Sequence, residues 1–162
     1  MVIFGLLVVI TYSYAVPKYR ERTYLVKATS ELHTMANAIT LYIDKYNDYP
    51  ADVSRGIAPG TQEFIQTNGV NDVWPNAPWP GSVYDYDRWD DLGIIQISIR
   101  FCNAGDDATC KKNFPDESWV TSSWDSYSSV YYCIKGPCRS HHDKPANWPG
   151  YCINCGNRSQ FF

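Results

Sequence analysis

The chain has 162 residues, which is enough for one domain, or one domain with an appendage, and for a modest core. Its formal charge of −3 argues against nucleic acid as the main partner, because binding a phosphate backbone needs a basic surface. All six Trp and nearly all of the Gly and Pro follow Tyr49, so the chain changes character at that point.

Residues 1–16 (MVIFGLLVVITYSYAV) form an uncharged apolar run. The run is slightly shorter than the roughly 20 residues that span a bilayer. Three interpretations are open: a cleavable signal peptide, a short membrane anchor, and a span whose first residues precede Met1.

A basic cluster follows this run at Lys18, Arg20, Arg22 and Lys27. The positive-inside rule would place that side of a membrane in the cytoplasm, whereas the cysteines of the chain predict export. A basic leader before Met1 would remove the conflict.

Beyond Pro17, apolar or small residues recur at alternating spacings of three and four, which predicts a helix with one buried stripe. The stripe comprises Leu25, Ala28, Leu32, Met35, Ile39, Tyr42 and Tyr46. Packing on a sheet is favoured over a free coiled coil, because tyrosines do not suit a coiled-coil seam. Asn47, Asp48 and Pro50 are expected to end the helix.

Residues 1–48 would form a helix about 70 Å long, too long for this chain to bury by itself. Pro17 lacks a backbone donor and its ring clashes with the preceding turn. We therefore predict a kink or a loss of regular helix within the turn before Pro17, with Gly5 as a second, weaker breaking point.

The N-terminal third resembles the type IV pilins and the pseudopilins of type II secretion. The resemblance is carried by an apolar run ending in Ala15-Val16-Pro17, by Lys18-Tyr19-Arg20, and by a periodic helix that closes in Tyr46-Asn47-Asp48-Tyr49-Pro50. It covers residues 1–50 and is only general beyond them. It implies that a cleaved leader and a docking glutamate precede Met1.

The resemblance implies a structural subunit that polymerises through its N-terminal helix into a helical filament at the cell surface. The expected assembly interface is the apolar run, represented by Met1, Val2, Ile3, Phe4, Leu6, Leu7, Val8, Val9 and Ile10. The expected partners are identical subunits, the inner membrane before assembly, and the pilus assembly machinery. A pseudopilin is one alternative, and a monomeric, membrane-anchored, disulfide-rich binding domain is another.

The remainder of the chain predicts a small head. Gly93–Cys102 alternates with a strand period that places Ile95, Ile97 and Ile99 on one face, and Ser128–Ile134 reads as a second strand. Residues 71–91 read as turns, and Tyr151–Asn154 as a third short piece. The expected fold is α+β: residues 1–24 protrude as a helix, and residues 25–162 form a head with a small antiparallel sheet and disulfide-stapled loops.

Six cysteines, all in the last 61 residues, predict a disulfide framework in an oxidising compartment. They are Cys102, Cys110, Cys133, Cys138, Cys152 and Cys155. Turn residues 103–106 favour a Cys102–Cys110 bond. For the other four we expect crossed bonds that join Cys133 and Cys138 to Cys152 and Cys155, although their spacing would also suit zinc.

Several carboxylates are grouped in sequence and could bind calcium, with solvated turns as the alternative interpretation. They are Asp85, Asp87, Asp90, Asp91 and Asp106. The calcium sites of G-type pseudopilins support the calcium interpretation by resemblance, although EF-hand spacing is absent. No other cofactor is predicted. Ser140, His141, His142 and Asp143 are sequence neighbours without a nucleophile elbow, so no catalytic role is predicted.

Overall fold

A computed structural model of the chain describes residues 2–53, 55–65, 76–100, 128–138 and 151–155. For residues 2–15, 17, 18, 21, 22, 128, 129 and 151, this description covers the backbone alone. The elements in chain order are a long helix α1 (Val2–Tyr46), a 3₁₀ turn (Gln62–Phe64), and the strands β1 (Val83–Trp89), β2 (Ile94–Arg100), β3 (Ser128–Lys135) and β4 (Tyr151–Cys152). One helix on a small, largely antiparallel sheet confirms the predicted α+β class.

The helix packs on the sheet through the middle of the predicted stripe. Ala28, Leu32, Met35 and Ile39 are buried, whereas Leu25 and Tyr42 are half-buried. The prediction for Tyr46 is wrong, because this residue is exposed and its hydroxyl donates to Glu63 Oε1 at 2.9 Å. In the last turn of the helix, the stripe no longer faces the sheet.

The helix ends where the sequence predicts. Asn47 adopts a left-handed conformation (φ 55°), and its N–H donates to Ile43 O at 2.7 Å, which satisfies one of the last carbonyls. Asparagine tolerates this conformation better than most residues.

The predicted loss of regular helix before Pro17 is wrong. The α-helix continues through Gly5 and Pro17 without interruption. A proline inside a helix removes one hydrogen bond, and the turns on either side can maintain the helical backbone. A change in axis direction at Pro17 stays a prediction.

The four strands follow the order β1-β2-β3-β4. The first three are antiparallel, with Tyr86 opposite Ile97 and Ile97 opposite Tyr132. The two-residue β4 instead pairs with β3 in parallel, with Tyr131 opposite Cys152. Strand β1 lies within the segment predicted as turns, and its alternation of Tyr84 and Tyr86 with acidic residues is the signal that indicates it.

The helix covers one face of the sheet. Tyr84 and Tyr86 of β1, together with the β2 isoleucines at 95, 97 and 99, pack with the helix stripe in a single core. Trp79 joins this core and contacts Tyr24, with ring centroids 5.9 Å apart. The predicted inward face of β2 is therefore confirmed for these three isoleucines.

Arg88 fastens the end of the helix to the sheet. Its Nη1 donates to Tyr49 O at 2.6 Å, its Nη2 lies 3.1 Å from Asp48, and its Nε donates to Asp90 at 2.9 Å. One guanidinium thus joins the chain after α1 to the β1–β2 turn.

The outer edge of β1 is partly occupied by the preceding segment. Gly56 forms a parallel bridge with Asp85, in which Gly56 N donates to Tyr84 O at 2.8 Å and Tyr86 N donates to Gly56 O at 3.0 Å. Asp52 accepts from Arg88 N at 2.7 Å.

Candidate functional site

The apolar N-terminal run was the predicted assembly interface. The side chains of Met1, Val2, Ile3, Phe4, Leu6, Leu7, Val8, Val9 and Ile10 lie outside the described residues. Along the described part of the helix before Ala28, no side chain is buried, and Tyr19 is 75% exposed. Among the described side chains of the helix, Tyr24 and Leu25 are the first in chain order that pack against the core of the head.

Within the residues that the structure describes, no helix is both long and apolar enough to cross a bilayer.

The face of the sheet that points away from the helix is polar and buried. Side chains alternating with the isoleucines and tyrosines of the core occupy this face, and each is at most 5% exposed: Asp85, Asp87, Gln96, Ser98 and Arg100. Asp85 lies opposite Ser98 and Asp87 lies opposite Gln96 in the β1–β2 register. The β1–β2 part of the sheet is thus buried on both faces, whereas an antiparallel sheet commonly exposes its polar face to solvent.

An ion pair lies within the polar face, near the end of β2. The Arg100 Nε donates to Asp85 Oδ2, and both side chains are almost fully buried. The other carboxylate oxygen of Asp85, Oδ1, has no hydrogen-bond partner within the described portion of the chain. Gln96 Nε2 donates to Asp87 Oδ2 at 3.3 Å. The pair stays buried because each charge compensates the other, so removal of either partner would strongly destabilise the fold.

The two carboxyl groups have raised pKa values. Burial raises the pKa of Asp85 to about 6, although Arg100 opposes this shift. Burial, followed by the neighbouring Asp85 charge, raises the pKa of Asp87 to about 8. Asp87 is the group that retains a proton near neutral pH, because the guanidinium of Arg100 is already paired with Asp85.

Some of the predicted calcium ligands that the structure describes take part in ion pairs within the fold. Asp85 is neutralised by Arg100, and a guanidinium in that position repels a cation. Asp90 pairs with Arg88, and Asp91 is exposed in the turn after β1. Asp106 lies outside the described residues. Asp85 is thus an ion-pair partner of Arg100 in the described fold, and calcium binding by these carboxylates stays a prediction.

The four cysteines in the described segments form a cluster beside β3 and β4. Disulfides join Cys133 to Cys138 and Cys152 to Cys155. The expected crossed pairing is wrong, because each pair closes its own short loop. Cys102 and Cys110 lie outside the described residues, so their pairing stays a prediction.

The C-terminal segment is nevertheless tied to β3, through backbone and amide contacts. Asn154 Nδ2 donates to Cys133 O at 2.7 Å, and Cys133 N donates to Asn154 Oδ1 at 2.8 Å. Ile153 N donates to Tyr131 O at 2.9 Å. These contacts hold the second disulfide against the first, with Cys133 Sγ and Cys155 Sγ 3.7 Å apart.

Several of these residues were not predicted from the sequence. Gln96, Ser98 and Arg100 alternate with isoleucines and therefore share a face, and this alternation was the available signal. Asn154 was not predicted either, because spacing alone carries no signal for it. The segment Ser140–Asp143 lies outside the described residues.

The described fold and sites define a small α+β head on a long helix, with an internal ion pair and a cysteine cluster. The chain matches no family model, no curated protein and no solved structure.

Proposed function

We propose that this chain is a pilin-like structural subunit that polymerises into a helical surface filament through its N-terminal helix. The observation that carries the proposal is a mismatch of lengths. Helix α1 has 45 residues, about 68 Å at 1.5 Å per residue. Among the side chains of α1 that the structure describes, the buried ones run from Ala28 to Ile39, a distance of about 17 Å on the same scale.

The composition of the helix supports the same proposal. Residues 1–16 carry no charge, so exposing them to water would be unfavourable. Packing them against copies of themselves would contribute roughly 25 cal/mol per Å² of apolar area buried. Before assembly the same segment would lie in the inner membrane, where the assembly machinery would bind the subunit. The resemblance of residues 1–50 to pilins and pseudopilins agrees with this arrangement.

Substitution within the apolar run tests the proposal. The full-length protein would be purified in detergent, the detergent removed, and filaments scored by negative-stain electron microscopy and sedimentation. We expect wild type to form filaments and Leu7→Asp to form none, because a charge cannot be buried unpaired in an apolar filament core.

The matched control is Asn37→Asp, which adds the same charge on the exposed face of the helix within the head. This variant should assemble as wild type does. A wild-type protein that stays monomeric after detergent removal would contradict the proposal and favour the monomeric anchored binding domain. Filaments formed by Leu7→Asp would contradict the assigned interface.

A further inference from the structure

The two disulfides lie closer to each other than two independent crosslinks need to. The Sγ atoms of Cys133, Cys152 and Cys155 all lie within 4.8 Å of one another, and Cys138 is bonded to the first of them. Three sulfur atoms from two chain segments, 133–138 and 152–155, therefore lie together, and the fourth, that of Cys138, is attached to this group through its bond to Cys133. Cys138 is buried and the other three are half-buried, so the cluster is closed on one side and reachable on the other.

The spacing of these atoms is suited to a metal ion. A tetrahedral zinc site with Zn–S bonds of about 2.3 Å has sulfur atoms about 3.8 Å apart. The two disulfides approach each other at 3.7 Å through Cys133 and Cys155. Breaking both S–S bonds would let the bonded partners separate to a similar distance by rotation of their side chains, with little movement of the backbone.

Contacts other than the disulfides also join the two segments. The β3–β4 pairing fixes Tyr131 opposite Cys152, and Asn154 forms two hydrogen bonds with the backbone of Cys133. Asn154 Oδ1 also lies 3.6 Å from Cys152 Sγ. Such outer contacts orient metal ligands, and the hydrogen bonds between Asn154 and the backbone of Cys133 do not involve the S–S bonds.

We propose that Cys133, Cys138, Cys152 and Cys155 form a zinc site that is available when both disulfides are reduced. A phosphine reductant and one water convert each disulfide into two thiols and yield one phosphine oxide. The four thiols then bind one Zn²⁺ as thiolates and release four protons. The oxidised head keeps two disulfides and takes up no metal. This inference concerns the head alone and does not depend on filament formation.

Cobalt spectroscopy on the full-length protein tests the site. The protein would be reduced anaerobically with a phosphine, freed of reductant, and titrated with Co²⁺ and then Zn²⁺. We expect the visible absorption of tetrahedral cobalt thiolate to saturate at one equivalent per chain, and Zn²⁺ to displace the cobalt. The unreduced protein should give no such band.

Three variants locate the metal. Cys133→Ser should lose the tetrathiolate spectrum, whereas the double variant Cys102→Ser/Cys110→Ser should keep it with unchanged stoichiometry. Asn154→Ala keeps all four sulfur ligands and should weaken zinc affinity by roughly 10- to 100-fold, measured by competition with a chelating dye.

Absence of the cobalt band in reduced wild type would overturn the proposal, and that result needs no variant to fold. A tetrathiolate band that persists in Cys133→Ser, or disappears in Cys102→Ser/Cys110→Ser, would also overturn it, because the metal would then use other cysteines.

Discussion

Gly136 lies where two turns of the sheet approach each other. It follows β3 in the loop between Cys133 and Cys138, with φ +75°, and a Cβ added there would meet Gly93 O at 2.4 Å. Such a contact is too short for any side chain, and the opposing atom belongs to the backbone, which cannot rotate away. The loop that carries the first disulfide can therefore lie close to the β1–β2 turn because residue 136 has no side chain.

Replacement of Gly136 by alanine should therefore be more harmful than the same change at Gly93. Gly93 also has a positive φ (+64°), but a Cβ there meets nothing within 4 Å. We expect Gly93→Ala to cost about 1–2 kcal/mol from backbone strain alone. Gly136→Ala should cost clearly more, measured by urea unfolding of both variants. Equal losses at the two positions would contradict the close approach described above.

The sequence indicated that the second strand ends at Ile134, but not the contact between Gly136 and Gly93. That contact depends on the register of three strands, which local residue preferences do not determine. The cysteine pairing was mispredicted for a related reason. The tail is anchored by Asn154 and by the parallel β3–β4 pairing, so crossed disulfides are not needed to tether it.

The helix and the sheet interact through a narrow set of side chains on α1. Leu32 is 0% exposed in the core, whereas Leu41 on the same helix is 48% exposed. The period of the stripe predicted the first of these from sequence. Periodicity works for the helix because one face meets a flat sheet along several turns.

Leu32→Ala should destabilise the head by about 2–5 kcal/mol, because it removes buried apolar surface and leaves a cavity. Leu41→Ala is the matched control and should change the free energy of unfolding by less than about 0.5 kcal/mol, as surface substitutions usually do. Thermal and urea unfolding of both variants would measure the difference. Similar losses for the two leucines would show that Leu41 is also packed.

Strand β1 was harder to predict than β2 for a physical reason. Its alternation sets tyrosines against aspartates, and Asp and Gly near proline usually indicate turns. In the fold, the aspartates are stabilised within the sheet by Arg100 and Gln96, which come from the neighbouring strand. The polar residues on one face of β2 predict that this face is exposed to solvent. Burial of both faces could therefore not be inferred from either strand alone.

The molecule as a whole should respond to pH through its two buried carboxyl groups. Their folded-state pKa values, about 6 for Asp85 and about 8 for Asp87, lie above the ordinary value of 3.8. At pH values between the ordinary pKa of 3.8 and the folded-state pKa of each group, the folded state binds more protons than the unfolded state. Their contribution to stability is therefore complete below about pH 4 and is lost as the pH rises towards 8.

We expect urea unfolding to show a free energy of unfolding that declines from pH 5 to pH 8. Asp87→Asn removes the group with the higher pKa and should flatten most of that decline. Asp91→Asn changes an exposed turn carboxylate and should leave the slope as in wild type. A stability that rises over this range in wild type would contradict the raised pKa values.

The occupied edge of β1 bears on how copies of this head can associate. A bare edge strand offers its backbone groups to the strand of another molecule and so favours amyloid-like stacking. Here Gly56 and Asp52 already engage the outward backbone groups of Tyr84, Tyr86 and Arg88. An incoming strand would have to displace the 52–56 segment first. At this edge, therefore, crowding many heads side by side favours contacts between side chains over the merging of sheets.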